Sequence, residues 1–561
     1  MATSKAKSRR STITGISVVT VIGIFVLYPI FFLLQAALKE GDGTIEGSTG
    51  YGFGNFERLP SYSEIIWNTL QVSVVSTVIA IIVGFLIAYI LTRTNVPYRR
   101  GLQQLMAVPY YVTPLLGALA WGLLGEEHSG YINILWRALG GEGAIINITS
   151  PMGIAWVMAL FEGSVAFVMI SAVMQSIDPS LEEASQVIGA SRFNTMMRVT
   201  LPLVMPGVLG ALVYVFAEML GSFSAALVLG TPNRFYVLTT AIFLMITQYP
   251  PRIPLAAAMG VVLFAVMFLM TYLYRRMIAG RSYVTVSGKA FRPRPVDVGA
   301  LRWVYLGLVC AYIFMAVVLP LLTLLYASLQ QLATAVPSWT NFTLHHYEVA
   351  LSQNAVRFAI RNSLELGVIT ATLGVALTGT ISWLLHRTKL PGRGALEYMS
   401  MFPQAVPRLV FAFGIMWAWL VIPVPVYGTI WLLLIAYLTV FLPLGVRTIS
   451  GVLLQLDKTL DECGQVCGAN WFQRLRTINI PLLRPGIMAA WMLLFIGSVR
   501  ELGASILLVG PKSQVLTPAI VDAWTYSSSE VTAAMALIQT AVVGTVIAIF
   551  MMLMRRSELK G

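Results

Sequence analysis

Charge is scarce in this chain. Asp, Glu, Lys and Arg make up 11% of its 561 residues, against 57% hydrophobic residues and a mean hydropathy of +0.78. A soluble domain carries about a quarter charged residues, so this balance excludes a soluble globular protein and places the chain in a bilayer. Only three cysteines are present, Cys310, Cys463 and Cys467, and none sits in a long polar loop, which excludes a disulfide framework. Cys463 and Cys467 share a helix face, but without a nearby His or further Cys a zinc site lacks ligands. Two small side chains on a packed helix is the simpler reading. No clustered His and no paired carboxylates at metal-ligand spacing support a membrane enzyme, so no catalytic residue and no metal site is assigned. A phosphate loop of the form Gly-x-x-x-x-Gly-Lys-Ser/Thr is also missing, so ATP hydrolysis is not expected of this polypeptide.

The charges that are present are informative. The net charge of +13 is not gathered in one basic domain, as nucleic acid would require. It recurs as short clusters at the ends of apolar runs, the pattern of the positive-inside bias. Twelve runs are long enough to cross a membrane as helices: about 12–38, 66–92, 102–124, 151–176, 201–230, 255–277, 303–329, 360–386, 397–421, 427–448, 481–509 and 532–554. The first is too long for a signal peptide and is read as an uncleaved span. With both termini in the cytoplasm and alternating spans, 27 of the 37 basic residues lie inside. The expected fold class is an all-α polytopic membrane protein.

The chain also repeats itself. Residues 183–216 match 462–495 with twelve identities over 34 positions. Further upstream Asn68, Arg93-Thr94, Pro97 and Pro109 match Asn362, Arg387-Thr388, Pro391 and Pro403. The offset is 279 in the first block and 294 in the second, and a longer outer loop in the first half (125–150) absorbs the difference. Each half has an even number of spans, so the two six-helix repeats are parallel, not inverted. Expected boundaries are 1–280 for the first repeat, 281–302 for a basic, proline-containing cytoplasmic linker, and 303–561 for the second. Outer loops 39–65 and 330–359 are docking surface or simple connectors, with Gly-rich 41–54 flexible. His345 and His346, in the second loop, are read as surface polar residues or a metal relay.

The most conserved block between the halves is a polar island after the fourth span of each. Asp178-Pro179 or Asp457 opens it, a short helix follows, and Gly189 or Gly468 ends or bends that helix. A second short amphipathic helix then leads to Leu201-Pro202 or Ile480-Pro481, where proline opens the next span. Both islands, about 179–200 and 458–479, are expected to face the cytoplasm.

These islands resemble the EAA motif of the membrane subunits of ATP-binding cassette (ABC) importers. That pattern runs E-A-A, three residues, G, nine residues, I, one residue, L-P. The first copy supplies Glu183, Ala184, Ser185, Gly189, Val199, Leu201 and Pro202. The second supplies Glu462, Cys463, Gly464, Gly468, Ile478, Ile480 and Pro481. The resemblance covers the whole chain and implies a type I ABC importer permease in fused two-half form. The islands would then be coupling helices seated in two copies of an ABC ATPase subunit, with ATP and magnesium on that partner and no cofactor on this chain. A periplasmic or lipid-anchored substrate-binding protein would deliver the solute, and the bacterial cytoplasmic membrane would hold the complex.

Fused permeases of this kind resemble ferric iron importers, and Val499-Arg500-Glu501-Leu502-Gly503 resembles a segment seen in them. The same group handles polyamines, thiamine, sulfate and aminoethylphosphonate. Ionisable residues inside spans are costly and tend to line a wet path or pair between helices. Glu162, Glu218, Arg408, Arg500 and Glu501 are the candidates. Arg500 and Glu501 point about 100° apart and need not pair with each other. Arg408 follows Pro403 and Pro407, which should break the ninth span, and an arginine beside a broken helix suits an anion or a chelated metal. A secondary carrier with two six-span halves is the reading of another class, but it has no need of two large inner knobs.

Overall fold

The computed structural model describes residues 2–41, 48–178, 180–279, 296–332, 341–388, 391–457 and 459–558. Pro179, Lys389, Lys458, Lys560 and most of the linker, with Arg281, Lys289, Arg292, Pro293, Arg294 and Pro295, lie outside the described residues. Among those described, nearly all regular structure is helical. The exception is an antiparallel pair of short strands, Lys39–Gly41 and Ser48–Tyr51. Nine helices among the described residues are long and apolar enough to span a membrane. Four bent pairs raise the count to as many as 13. All twelve expected spans are found, three of them as bent pairs. The fourth pair, Ser224–Asn233 with Leu238–Thr247, was expected only in part, as the tail of the fifth span.

The chain forms two compact units. One comprises Phe56–Tyr249 and Val262–His346. Its centre is three helices, Ser63–Arg93, Pro151–Ser176 and Leu201–Leu220. In lipid, helices associate through close packing of small residues, not through water exclusion. Gly84 provides this here: a Cβ on it would lie 2.6 Å from the Ala166 Cβ and 2.9 Å from the Phe167 nitrogen. Gly84→Ala should therefore cost about 1–3 kcal/mol, as overpacking does. A lowered midpoint for thermal unfolding in nanodiscs would show it; an unchanged midpoint would mean these helices do not pack this closely.

The other unit comprises Met1–Asn55, Pro250–Val261 and Tyr347–Gly561. Its central helices are Asn354–Arg387, Leu442–Leu453 and Ile480–Val499. At the matching contact the small residue changes sides. Gly445 on the fourth-span helix faces Thr378 on the second, where a Cβ would meet the Thr378 Cγ2 at 2.7 Å. The contact of Gly207 with Val173 is preserved as Gly486 with Val452.

In each unit the leading span comes from the other half of the sequence. Ala2–Leu38 packs on Arg393–Met401 and Arg408–Val421, where a Cβ on Gly414 would overlap the Pro29 carbonyl. The first part of Leu301–Leu329 reaches Pro151–Ser176, with the Tyr312 hydroxyl donating to the Leu160 carbonyl at 2.7 Å. Its second part packs on Pro114–Gly125. Compact units and sequence halves are thus different partitions.

Three π-helical turns, Met196–Thr200, Phe314–Val318 and Leu475–Asn479, share one cause. Each is followed by a residue whose N–H bonds five positions back, and then by proline: Pro202, Pro320 or Pro481. A proline ring clashes with the carbonyl four residues earlier, and the wider turn moves that carbonyl aside. Helix therefore continues through Phe193–Leu220 and Phe472–Val499. The second short helix of each island is not separate from the next span, as expected, but is its inner extension.

The outer loops are more ordered than the sequence suggested. The described ends of 39–54 form the strand pair, clamped by the Asn55 amide donating to the Ala37 and Lys39 carbonyls. Residues 42–47 lie outside the described residues. In loop 126–150 the buried Asn133 makes four hydrogen bonds, to Glu126 O, Ile146 O, Ile145 N and Ile146 N. Burial pushes the nearby Glu126 carboxyl up, but donors from Ser129 and His128 outweigh it and hold it below the usual carboxylate range. His346 is not a surface residue: it is buried and its Nε2 sits 2.8 Å from the Gln330 carbonyl. Among the described residues no cluster of His, Cys, Asp or Glu could hold a metal.

Candidate functional site

Each island begins with an Asp that turns the chain. The Asp178 Oδ1 accepts from the Ser180 amide at 2.9 Å, and the Asp457 Oδ1 from the Thr459 amide at 3.0 Å. The short helices Ser180–Val187 and Thr459–Val466 follow. They stop at Gly189 and Gly468, with φ of +89° and +82°. In the second copy the Gly468 amide bonds to the Gln465 carbonyl and the Ala469 amide to the Gly464 carbonyl, the paired bonds of a Schellman stop. In the first, Ala190 bonds to Ser185 in the same way. Nothing lies within 4 Å of a Cβ built on either glycine. Their requirement is therefore conformational, not steric. Each Gly→Ala change should cost about 1 kcal/mol through the left-handed backbone alone, and bulkier residues should do little more. The measurement is hydrogen exchange at the amides around the two stops in the Gly189→Ala, Gly468→Ala double variant, expected to speed up there while membrane insertion is kept; unchanged protection would mean that neither stop needs its glycine.

After the stop the chain is capped again. Ser191 Oγ accepts from the Asn194 amide. In the second copy Asn470 and Gln473 exchange side-chain and backbone bonds, both at 2.8 Å, as a capping box. Each island is thus a rigid elbow whose outgoing arm runs into the fifth-span helix.

The expected motif glutamates do not hold this elbow together. Glu183 and Glu462 are exposed, as are Ala184, Pro202 and Pro481. Ile478 is half-buried against Gly464. The buried acid is the residue before, Glu182, only 5% exposed. Its Oε1 accepts from the Thr200 hydroxyl at 2.9 Å and lies 3.1 Å from Arg93 Nε, off-axis for a hydrogen bond, so that contact is ionic. Arg93 also reaches the Ile177 carbonyl. At the matching place Asp461 accepts from Asn479 and Arg474, both at 3.0 Å, while Arg387 donates to the Leu453 and Leu456 carbonyls. The signal for these residues was in the sequence: acid faces acid at 182 and 461, and a hydrogen-bond donor faces a donor at 200 and 479.

The outer side of each elbow is apolar and bare. Val187, Ile188 and Phe193 are 86%, 85% and 63% exposed, and Val466 and Phe472 are 87% and 62%. Cys463 and Cys467 are exposed on the same island and not packed as expected. Contiguous exposed apolar residues on a polar segment mark an interaction surface.

The candidates within spans are only partly brought together. The ninth span is broken as expected: Arg393–Ala405 and Arg408–Val421 meet at 105°. The third is broken at the matching place, by 90°. Arg408 opens the helix after its break and pairs with Glu501, with Nη1 to Oε2 3.0 Å. The Glu501 side chain is 1% exposed and that of Arg408 46%. Glu501 also accepts from the Ala504 amide, and the Arg408 guanidinium lies 5.8 Å from the Phe441 ring centre. Arg500, Glu162 and Glu218 are not part of this ion pair; Glu162 and Glu218 are half-buried in the unit that does not contain it.

A family model for the binding-protein-dependent transport system inner membrane component matches residues 76–279 and again 379–558, together more than half of the chain. The chain belongs to that family. The two matched blocks of this inner membrane component each contain one elbow, so the duplication read from the sequence is a duplicated transport domain. Among its relatives is a putative ferric transport system permease of Haemophilus influenzae, 26% identical over 89% of this chain and 78% of the relative. Another is a ferric transport system permease of Actinobacillus pleuropneumoniae, 26% identical over 90% of this chain and 73% of the relative. A spermidine/putrescine transport system permease of Haemophilus influenzae is 26% identical, but over 45% of this chain and 88% of its own length. A bacterial alginate ABC transporter is similar in structure at TM-score 0.41 and 22% identity, covering 49% of this chain and 96% of the matched one. The chain is an ABC importer permease of the inner membrane, all-α and polytopic, and resembles the ferric permeases.

Proposed function

We propose that this permease carries ferric iron, presented by a periplasmic binding protein, and that two copies of a separate ABC ATPase drive it through the elbows at 180–200 and 459–479. The observation that carries the coupling reading is the pair of rigid elbows with bare apolar outer faces, folded alike in both repeats. A membrane pore with no partner has no use for such surfaces in water. Both termini and both elbows are assigned to the cytoplasm from the distribution of Lys and Arg. ATP-driven closure of the ATPase pair would bring the elbows together and open the path outward; hydrolysis would reset it.

The substrate reading draws support from ferric relatives that align over about nine tenths of the chain, through both repeats. Arg408, partly exposed at a helix break, favours an anion or an iron chelate over a bare polycation. The test is uptake into proteoliposomes holding this chain and its ATPase, with binding protein outside. ATP-dependent accumulation of radiolabelled iron is expected. Accumulation of spermidine, thiamine, sulfate or aminoethylphosphonate instead would replace the substrate, and uptake without any ATPase would overturn the class.

A further inference from the structure

The two elbows fold alike but are fastened differently. Glu182 is tied to Arg93, the last residue of the second-span helix Ser63–Arg93, and this buried pair joins the elbow directly to the transmembrane core. Arg93 also holds the Ile177 carbonyl, so one guanidinium grips the elbow and the end of the fourth-span segment that feeds it. In the second copy the acid is Asp461, and its cation is Arg474, thirteen residues away within the elbow itself. Arg387, the counterpart of Arg93, reaches the backbone carbonyls of Leu453 and Leu456 and, among the described residues, forms no ion pair with the elbow helix. The second pair is also more exposed, at 14% and 26% against 3% and 7%.

We propose that Arg93 and Glu182 are positioning residues that lock the first elbow to the second span, while the second elbow is braced only on itself and moves more freely. The proposal rests on the coupling reading. A buried ion pair between elements resists separation, because parting it leaves two desolvated charges, whereas a local pair travels with its element. ATPase movement would then be passed to the core stiffly through the first half and with more give through the second. The lower burial of the second pair further weakens its tie.

The test is hydrogen–deuterium exchange on the full chain in lipid nanodiscs, without any partner. Amides of 183–188 should exchange more slowly than those of 462–467. Arg93→Met should speed exchange in the first elbow by about tenfold or more, with protection elsewhere unchanged. Arg387→Met should change the second elbow by less than about twofold, while Arg474→Met should loosen it. Arg93→Lys keeps the charge and should restore most protection, which a mere packing role would not allow. If Arg93→Met does not fold, Glu182→Gln takes its place with the same expectation. Equal effects of Arg93→Met and Arg387→Met, or loss of protection across the whole chain, would overturn the proposal. That outcome would leave the coupling reading standing, since that reading is tested separately by binding of the ATPase to the elbows.

Discussion

Val187→Asp combined with Val466→Asp should abolish retention of the ATPase by the purified permease. Both side chains are almost fully exposed, at 86% and 87%. Surface changes of this kind alter folding by no more than about 0.5 kcal/mol, so the chain should insert and unfold normally. At a docked interface the same aspartates would be desolvated without a partner charge. Central interface residues contribute about 2 kcal/mol or more each, so two together should lower affinity by about a thousandfold. Co-purification and surface-binding measurements report this directly, with Leu135→Asp in the outer loop, 59% exposed, as the control that should keep the ATPase. Retention by the double variant would remove these faces as the docking surface.

Why these faces were only half legible in the sequence is a matter of range. The glycine stop and the Asp turn are local chemistry within a few residues, and both are legible in the sequence. Proline was read as a start because the rule for first-turn prolines is local too; the π turns that let helix run through Pro202 and Pro481 depend on where the preceding carbonyl can move. Glu182 was overlooked in favour of Glu183 because its partner Arg93 is 89 residues away, and an adjacent pair of acids gives no sign of which one turns inward. The membership of the leading spans was not legible for a related reason. Apolar runs of equal length in lipid carry no address, and the close approach of Gly414 to Pro29 appears only when both helices are placed. The break in the ninth span was legible, where Pro403 and Pro407 flank the bend beside the charged Arg408; the matching break in the third was less so, because Pro109 and Pro114 lie in a run with no charged residue to mark it.

Arg408→Met should destabilise the permease far more than the double change with Glu501→Gln. Removing the guanidinium leaves a carboxylate that is 1% exposed and has lost its ion-pair partner, while it keeps the hydrogen bond from the Ala504 amide. Breaking one side of a buried pair costs about 3–5 kcal/mol, and the 46% exposure of Arg408 places the expected loss at the lower end. Neutralising both partners removes the stranded charge, so Arg408→Met with Glu501→Gln should recover most of that loss, a coupling that a double-mutant cycle reads from thermal midpoints in nanodiscs. Transport separates the two roles of the pair. If it only fastens the helix after the break to the end of the eleventh span, the stable double variant should move substrate normally. Arg408 stands at the positive end of the helix it opens, where a cation is disfavoured unless an anion lies close, and its exposed edge leaves room for a second anion beside Glu501. The double variant should therefore be stable and yet transport poorly. Normal uptake by it would strip Arg408 of its place on the path and leave it a structural brace.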